Sequence, residues 1–170
     1  MGAFLSEIEG VIWGMDKAEL KRIVDANDWL WEKWWPALQE LSLEQARQEV
    51  GGSFSSVLET TAHMVGAETV WLERLLGNPA ASFPVSPTDI AGLYKSWQLM
   101  ASRRQNWLTT ADPAARITYN FTGGTATNTV SEIVLHFTSH THFHRGQLAS
   151  QFRLQGLKPP SVHFIGFFRL

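Results

Sequence analysis

Apolar residues recur at helical spacing along this chain, and this pattern identifies its long elements. Over residues 16–41 the apolar positions repeat every three or four residues, so a first long helix is predicted there. Pro36 interrupts the pattern, and it should kink or end the helix because proline cannot donate a helical hydrogen bond. Ser42 and Gln45 then have the spacing of a capping box, which predicts a short helix directly afterwards.

Two further long helices are predicted in the middle of the chain from their apolar stripes and boundary residues. One begins after Ser56, which has capping-box spacing to Glu59, and stops at the Gly-Asn-Pro sequence of residues 77–79. The next should open with Ser86 as N-cap, followed by a proline suited to the first helical position, and end near the Asp-Pro pair at 112–113.

The last third of the chain starts with a segment that does not fit a helix. Within residues 116–128, Ile117, Tyr119 and Phe121 alternate with polar residues and a Gly-Gly pair follows at 123–124, which predicts a short β-hairpin or an extended loop. A capping box at Thr129 opens a fourth long helix that runs to about residue 155. The apolar tail from residue 158 should pack back on the helices. Residues 1–170 are thus predicted to form a single all-α domain, a four-helix bundle with that hairpin or loop before its last helix.

Composition and charge exclude several classes of protein. Hydrophobic residues make up 44% and charged residues 18%, which is typical of a globular chain. A net charge of −2 gives no basic surface for nucleic acid, and no apolar run is long enough for a membrane span. Cysteine is absent, and the N-terminal segment is acidic where a secretory signal would be basic, so a cytoplasmic location is expected. The eight tryptophans and ten phenylalanines should mainly fill the core, although such rings also line cavities and dimer interfaces.

Histidines are concentrated in the last predicted helix, where His136, His140, His142 and His144 lie within nine residues. Each helical residue advances by about 100°, so residues four apart are offset by only about 40°. His136, His140 and His144 therefore form a stripe, and His142 points nearly the opposite way. Two imidazoles at this spacing can both reach one ion at roughly the 2.0–2.1 Å of a Zn–N bond.

A third ligand is expected from another helix, because two imidazoles rarely hold a divalent ion well. His63 is the single histidine in the first 135 residues and lies in the second long helix, and bundles build metal sites from facing helices. Three imidazoles would leave coordination positions open, as in reactive metal sites. Two alternatives stay open here. These histidines can be hydrogen-bonded core residues, and spacing does not choose between His136/His140 and His140/His144 as the chelating pair.

Two sets of motifs extend these observations to nearly the whole chain. Residues 140–148 have the sequence HTHFHRGQL, with RLQG at 153–156 and two prolines after it. Upstream, SFSS at 53–56 leads into His63, and WLERL follows at 71–75. From about residue 20 to residue 167 the chain thereby resembles the DinB/YfiT-like superfamily of bacterial metal-binding four-helix proteins.

The resemblance implies a ligand set. In the superfamily pattern His63, His140 and His144 hold the metal, usually zinc or nickel, and water completes the shell. His136 would be a rim residue one turn earlier, with a role in orienting a ligand as the less favoured alternative. His142 should face away from the metal as a packing or surface residue.

The resemblance also suggests roles for three neighbouring side chains. Arg145 is expected to pair with Glu68 and so brace the two metal-bearing helices, which is favoured over binding of an anionic substrate. Relatives commonly carry an acidic residue after the tail prolines, where this chain has His163. We expect His163 to stay outside the ligand set, and its role as an extra ligand is the minor alternative.

The superfamily includes low-molecular-weight thiol S-transferases and a thiol-dependent isomerase, so the resemblance implies a metal-dependent enzyme with a small-molecule substrate. A chain without cysteine is compatible with a thiol that arrives as cosubstrate. The alternatives are a metal-dependent hydrolase and a non-enzymatic, stress-related metal-binding scaffold. A homodimer is expected from the aromatic surplus and from the habit of the superfamily.

Overall fold

The computed structural model describes residues 14–170, and the acidic N-terminal segment considered above lies outside them. The elements follow the chain in the order α1 (Lys17–Gln39), α2 (Leu43–Arg47), α3 (Val57–Leu75), α4 (Ile90–Leu108), β1 (Arg116–Phe121), β2 (Gly124–Thr129), α5 (Val130–Leu154) and a 3-10 helix, η1 (Phe164–Arg169). Helix α3 packs against α4 and α5, and α1 packs against the same two helices. The four long helices therefore form a bundle, as predicted.

The predicted helix starts at Ser42, Ser56 and Thr129 are confirmed. At Thr129 both halves of the capping box are present: Thr129 Oγ1 accepts from the Glu132 amide, and the Glu132 carboxylate accepts from the Thr129 amide. At Ser56 only the first half forms, because the Glu59 carboxylate accepts from the amide and hydroxyl of Ser55 instead.

Two predicted boundaries of α4 are wrong. The N-cap is Asp89 rather than Ser86, because the Asp89 carboxylate accepts from the Gly92 amide at 2.7 Å and so satisfies a free donor of the first turn. The helix ends at Leu108, before the predicted Asp-Pro pair, where Thr109 and Thr110 direct their amides and hydroxyls to the carbonyls of the last turn.

Pro36 does not end α1, which continues to Gln39. The turn around the proline is held by apolar burial, since Trp34, Trp35 and Leu38 are all nearly inaccessible to solvent. Trp35 packs on Trp31 with ring centroids 4.9 Å apart and on Trp97 of α4 at 5.6 Å, so much of the aromatic surplus fills the core.

The segment before α5 is a β-hairpin, with Arg116 opposite Thr129 and Phe121 opposite Gly124 in an antiparallel ladder. The tail packs back on the bundle, as predicted: η1 contacts α1, and the Trp34 indole donates to the Ser161 carbonyl at 3.1 Å.

No helix within residues 14–170 combines the length and the apolar character that a membrane crossing requires.

Candidate metal centre

The imidazoles of His63, His140 and His144 converge between two packed helices. Helix α3 supplies His63, and α5 supplies the other two from successive turns of one face. His140 Nε2 lies 3.2 Å from His63 Nε2 and 3.1 Å from His144 Nε2. His144 is buried, and the other two are half-buried. Three ring nitrogens from distant parts of the chain thus face a common point.

The spacing of these nitrogens fits a divalent ion. Zn–N bonds of about 2.0–2.1 Å at a tetrahedral angle place two ligand nitrogens roughly 3.3 Å apart, close to the observed separations. Neutral imidazoles facing one another cannot all satisfy their nitrogens by mutual hydrogen bonds, since each ring carries one proton. His140 Nδ1 is buried and has no hydrogen-bond partner. The arrangement therefore suits an ion better than a closed hydrogen-bonded cluster.

Gln147 orients one of the three rings. His144 Nδ1 lies 2.9 Å from Gln147 Oε1, and the Gln147 amide donates in turn to Ser53 Oγ at 2.9 Å. Because an amide oxygen only accepts, the His144 proton is assigned to Nδ1, which leaves the Nε2 lone pair directed at the other imidazoles. Sequence reasoning assigned no role to Gln147, although its position three residues after His144 places it on the adjacent helical turn.

Two phenylalanine rings cover His63. Phe54 lies 4.4 Å from the His63 ring and 5.6 Å from that of His144, and Phe83 stacks on His63 with ring centroids 5.4 Å apart. Phe83 belongs to the loop before α4 and also lies against Gly66, where a Cβ atom would come within 2.8 Å of its ring. No helical periodicity extends into that loop, so sequence reasoning missed Phe83.

The surroundings of His63 and His140 favour the neutral form of both rings. Burial, followed by the charges of His144, His63 and His136, lowers the pKa of His140 to about 4. Burial and then His144 also lower the pKa of His63. Since a metal binds the neutral form of imidazole, His63 and His140 are ready for coordination at neutral pH without first losing a proton.

We expect the metal-free protein to lose stability as the pH falls from about 6.5 towards about 4. In this interval the unfolded chain binds protons at His140 that the folded chain does not, so acid favours unfolding; above the unfolded pKa of 6.5 the difference vanishes. Urea midpoints across this range should fall more steeply for the wild type than for His140→Gln, in which that group cannot titrate. Equal pH dependence in both proteins would contradict the expectation.

The other candidate residues occupy different places. His136 stacks on His140 with centroids 5.9 Å apart and also contacts Trp71 of α3 at 4.9 Å. His142 packs against Phe164 on the tail side of α5, away from the other imidazoles. His163 is close enough to His142 to lower its pKa, after the effect of burial and of Arg145, and does not join the three convergent histidines.

The predicted ion pair between Arg145 and Glu68 is wrong. Glu68 instead forms a buried ion pair with Arg104 of α4, which also binds Asp28 of α1. Arg145 donates to Asn27 Oδ1 at 3.3 Å and lies over the Trp31 ring. The reason is that Asn27 lies between the side chains of Arg145 and Glu68: it accepts from Arg145 and donates to Glu68 Oε1.

The Glu68 carboxylate is fully engaged in the bundle core. Its Oε1 accepts from Trp31 Nε1 at 2.8 Å and from Thr141 Oγ1 at 2.8 Å, in addition to the Asn27 amide. Burial alone would raise its pKa, but the charge of Arg104 and the hydrogen bonds from Trp31, Arg104 and Asn27 outweigh burial and lower it. Because Thr141 follows His140 directly, this network fixes the turn of α5 that carries the imidazoles.

The chain is similar to known proteins in sequence family and in fold. A family model described as the DinB family matches residues 15–169. No curated protein matches the sequence significantly. Among solved structures, the crystal structure at 2.01 Å resolution of a DinB-like protein from Bacillus cereus ATCC 10987 matches with a TM-score of 0.63 and 19% sequence identity, over 80% of this chain and 93% of that one. At this identity the similarity shows a common fold.

Proposed function

This chain belongs to the DinB family, and from that premise we propose that it is a metal-dependent enzyme of the low-molecular-weight thiol S-transferase type. His63, His140 and His144 would hold a zinc or nickel ion. The observation that carries the proposal is the convergence of three imidazoles, in which His140 Nε2 lies 3.2 Å from His63 Nε2 and 3.1 Å from His144 Nε2, with the His144 ring oriented by Gln147.

A three-imidazole set suits catalysis better than a closed structural site. Within residues 14–170 the convergent group contains these three histidines and no fourth protein ligand. Structural zinc sites usually have four protein ligands, whereas catalytic sites keep a position for water or substrate. When bound, the ion would lower the pKa of a coordinated thiol and so supply a thiolate at neutral pH.

The remaining chemistry falls to the residues of the chain and to the cosubstrate. The sequence contains no cysteine, so the sulfur nucleophile must come from a small thiol. Phe54 and Phe83 shield His63 and make its surroundings apolar, which strengthens electrostatic interactions and limits competing water. A hydrolase is less well supported, because the Glu68 carboxylate is turned into the core and paired with Arg104, so it cannot activate water as a general base.

The proposal is tested by thiol-dependent turnover. The protein is loaded with zinc or nickel and assayed with bacillithiol, mycothiol or glutathione and with 1-chloro-2,4-dinitrobenzene. In this reaction a sulfur–carbon bond forms, the carbon–chlorine bond breaks, chloride leaves and the thiol proton passes to solvent. We expect turnover with at least one thiol, and its fall to the uncatalysed rate in His144→Ala.

His142→Ala is the matched control, since this ring lies two positions before His144 on the same helix and contacts the tail instead. It should keep wild-type turnover. Tight metal binding without turnover for any thiol would refute the transferase and favour the scaffold, in which the ion ties α3 to α5.

A further inference from the structure

A second feature of the bundle lies beside the three imidazoles. A cavity of about 350 Å³ opens between the C-terminal half of α3, the β-hairpin and the first turns of α5. This volume is in the range of small-molecule sites, which are roughly 300–1,000 Å³. The thiol chemistry proposed above makes no use of this cavity.

The walls of the cavity are aromatic. Trp71 and Tyr119 meet edge to face with centroids 5.0 Å apart, and Phe121, which is half exposed, lines the same space. Aromatic walls of this kind bind planar rings through stacking and apolar contact. The shape and the chemistry of the walls therefore select a flat, unsaturated group.

A guanidinium adds a positive charge to the cavity. Arg74 lies over Trp71 at 4.6 Å and over Tyr119 at 4.8 Å, and its Nη2 donates to the Asn120 carbonyl at 2.8 Å. Its Nε is buried and has no hydrogen-bond partner. Among residues 14–170 no carboxylate comes within ion-pair distance of Arg74.

The one carboxylate that lines the cavity, Glu132, already accepts hydrogen bonds from other groups. Glu132 accepts from the Thr129 amide at 2.8 Å and from the Asn128 side chain at 3.0 Å, as the cap of α5. The charge of Arg74 is thus left for an anionic group that enters from solvent, and a guanidinium with free donors favours a carboxylate.

His136 joins the cavity to the candidate metal centre. Its ring lines the cavity, contacts Trp71 at 4.9 Å and stacks on His140 at 5.9 Å with an interplanar angle of 20°. A ligand in the cavity is therefore separated from a proposed metal ligand by the thickness of one imidazole. The cavity therefore lies next to the candidate metal centre, on the other side of the His136 ring.

The geometry points to a substrate subsite in this cavity that takes a planar aromatic group bearing a carboxylate, with Trp71 and Tyr119 as its walls and Arg74 as its counter-ion. As part of catalysis this inference rests on the proposed transferase function. Binding in the cavity does not, because none of its lining residues belongs to the three convergent histidines.

The test compares two probes of the same shape, 1-naphthoate and the uncharged 1-naphthamide, by calorimetric titration of the full chain. We expect naphthoate to bind about tenfold more tightly, as a hydrogen-bonded charge pair would give. Arg74→Gln should abolish this preference and Arg74→Lys should retain part of it. Trp71→Leu should weaken both probes. Arg103→Gln, which removes an exposed guanidinium paired with Glu73 on the surface, should change neither.

Each titration is made with metal-free and with zinc-loaded protein, and metal content is measured separately. Naphthoate preference that persists in metal-free protein supports the subsite even if no transferase activity is found. Equal binding of the two probes, no binding of either, or a preference that survives Arg74→Gln in folded protein would overturn the subsite. Those results would not contradict the proposed metal site if the same protein still binds zinc.

Discussion

Replacing His140 by alanine is expected to abolish tight binding of zinc and nickel. His140 Nε2 lies 3.2 Å from the Nε2 atom of His63 and 3.1 Å from that of His144, so its loss leaves only two of the three ligand nitrogens for the ion. Even an outer-shell partner of a metal ligand contributes roughly 10–100-fold to affinity, so loss of a ligand should weaken binding by at least about a hundredfold.

The measurement is metal stoichiometry by elemental analysis, with affinity from competition against a chromophoric chelator. The wild type should hold about one ion per chain. His142→Ala, two positions further along the helix, is the matched control because its ring faces Phe164 and not the imidazole cluster. One ion per chain with unchanged affinity in His140→Ala would rule out the proposed ligand set.

A second large effect is expected in stability rather than in binding. Arg104→Ala should lower the free energy of unfolding by about 3–5 kcal/mol, because it leaves the buried carboxylate of Glu68 and the half-buried carboxylate of Asp28 without their counter-ion. Arg104 is 1% exposed and Glu68 2% exposed, so solvent cannot replace the lost partner. For a domain whose total stability is roughly 5–15 kcal/mol, this is a substantial fraction.

The adjacent arginine supplies the control. Arg103 also forms an ion pair, with Glu73 at 2.5 Å, but the two side chains are 44% and 30% exposed. Arg103→Ala should therefore lower the free energy of unfolding by less than about 1 kcal/mol, because exposed ion pairs contribute little to stability. Both variants are compared with the wild type by urea unfolding of metal-free protein. Similar midpoint shifts for the two arginines would show that burial does not decide the effect.

A double-mutant cycle separates the ion pair from general damage to the core. Glu68→Gln should lower the free energy of unfolding much less in the Arg104→Ala background than in the wild type. In that background the Glu68 charge has already lost its partner. Additive costs would mean that the two side chains do not interact. The outcome also bears on the metal site, since Thr141, next to His140, donates to the same carboxylate.

Local signals in the sequence were sufficient for the architecture. The apolar stripes predicted the four long helices, and the caps at Ser56 and Thr129 placed their starts correctly, since a cap depends on residues only three positions apart. The predicted N-cap Ser86 was wrong, because Asp89, three residues further on, caps the helix instead. Periodicity also placed His136, His140 and His144 on one face of α5 and directed His142 away from it.

Contacts between distant residues had to come from the tertiary structure. No local pattern singled out Arg104, yet packing buries it between Glu68 and Asp28, which lie on two other helices. Phe83 reaches His63 from an irregular loop, and the cavity beside His136 exists because the hairpin lies across α3 and α5.

The sequence by itself thus determined the helices, their periodicity and the stripe of imidazoles on α5, because each depends on neighbours within one or two turns. The tertiary structure decided that His63 meets that stripe, that Glu68 pairs with Arg104 rather than with Arg145, and that Arg74 has no carboxylate partner among the described residues. These three outcomes depend on how whole helices rotate and pack, which is set by the sum of many apolar contacts and by no single motif.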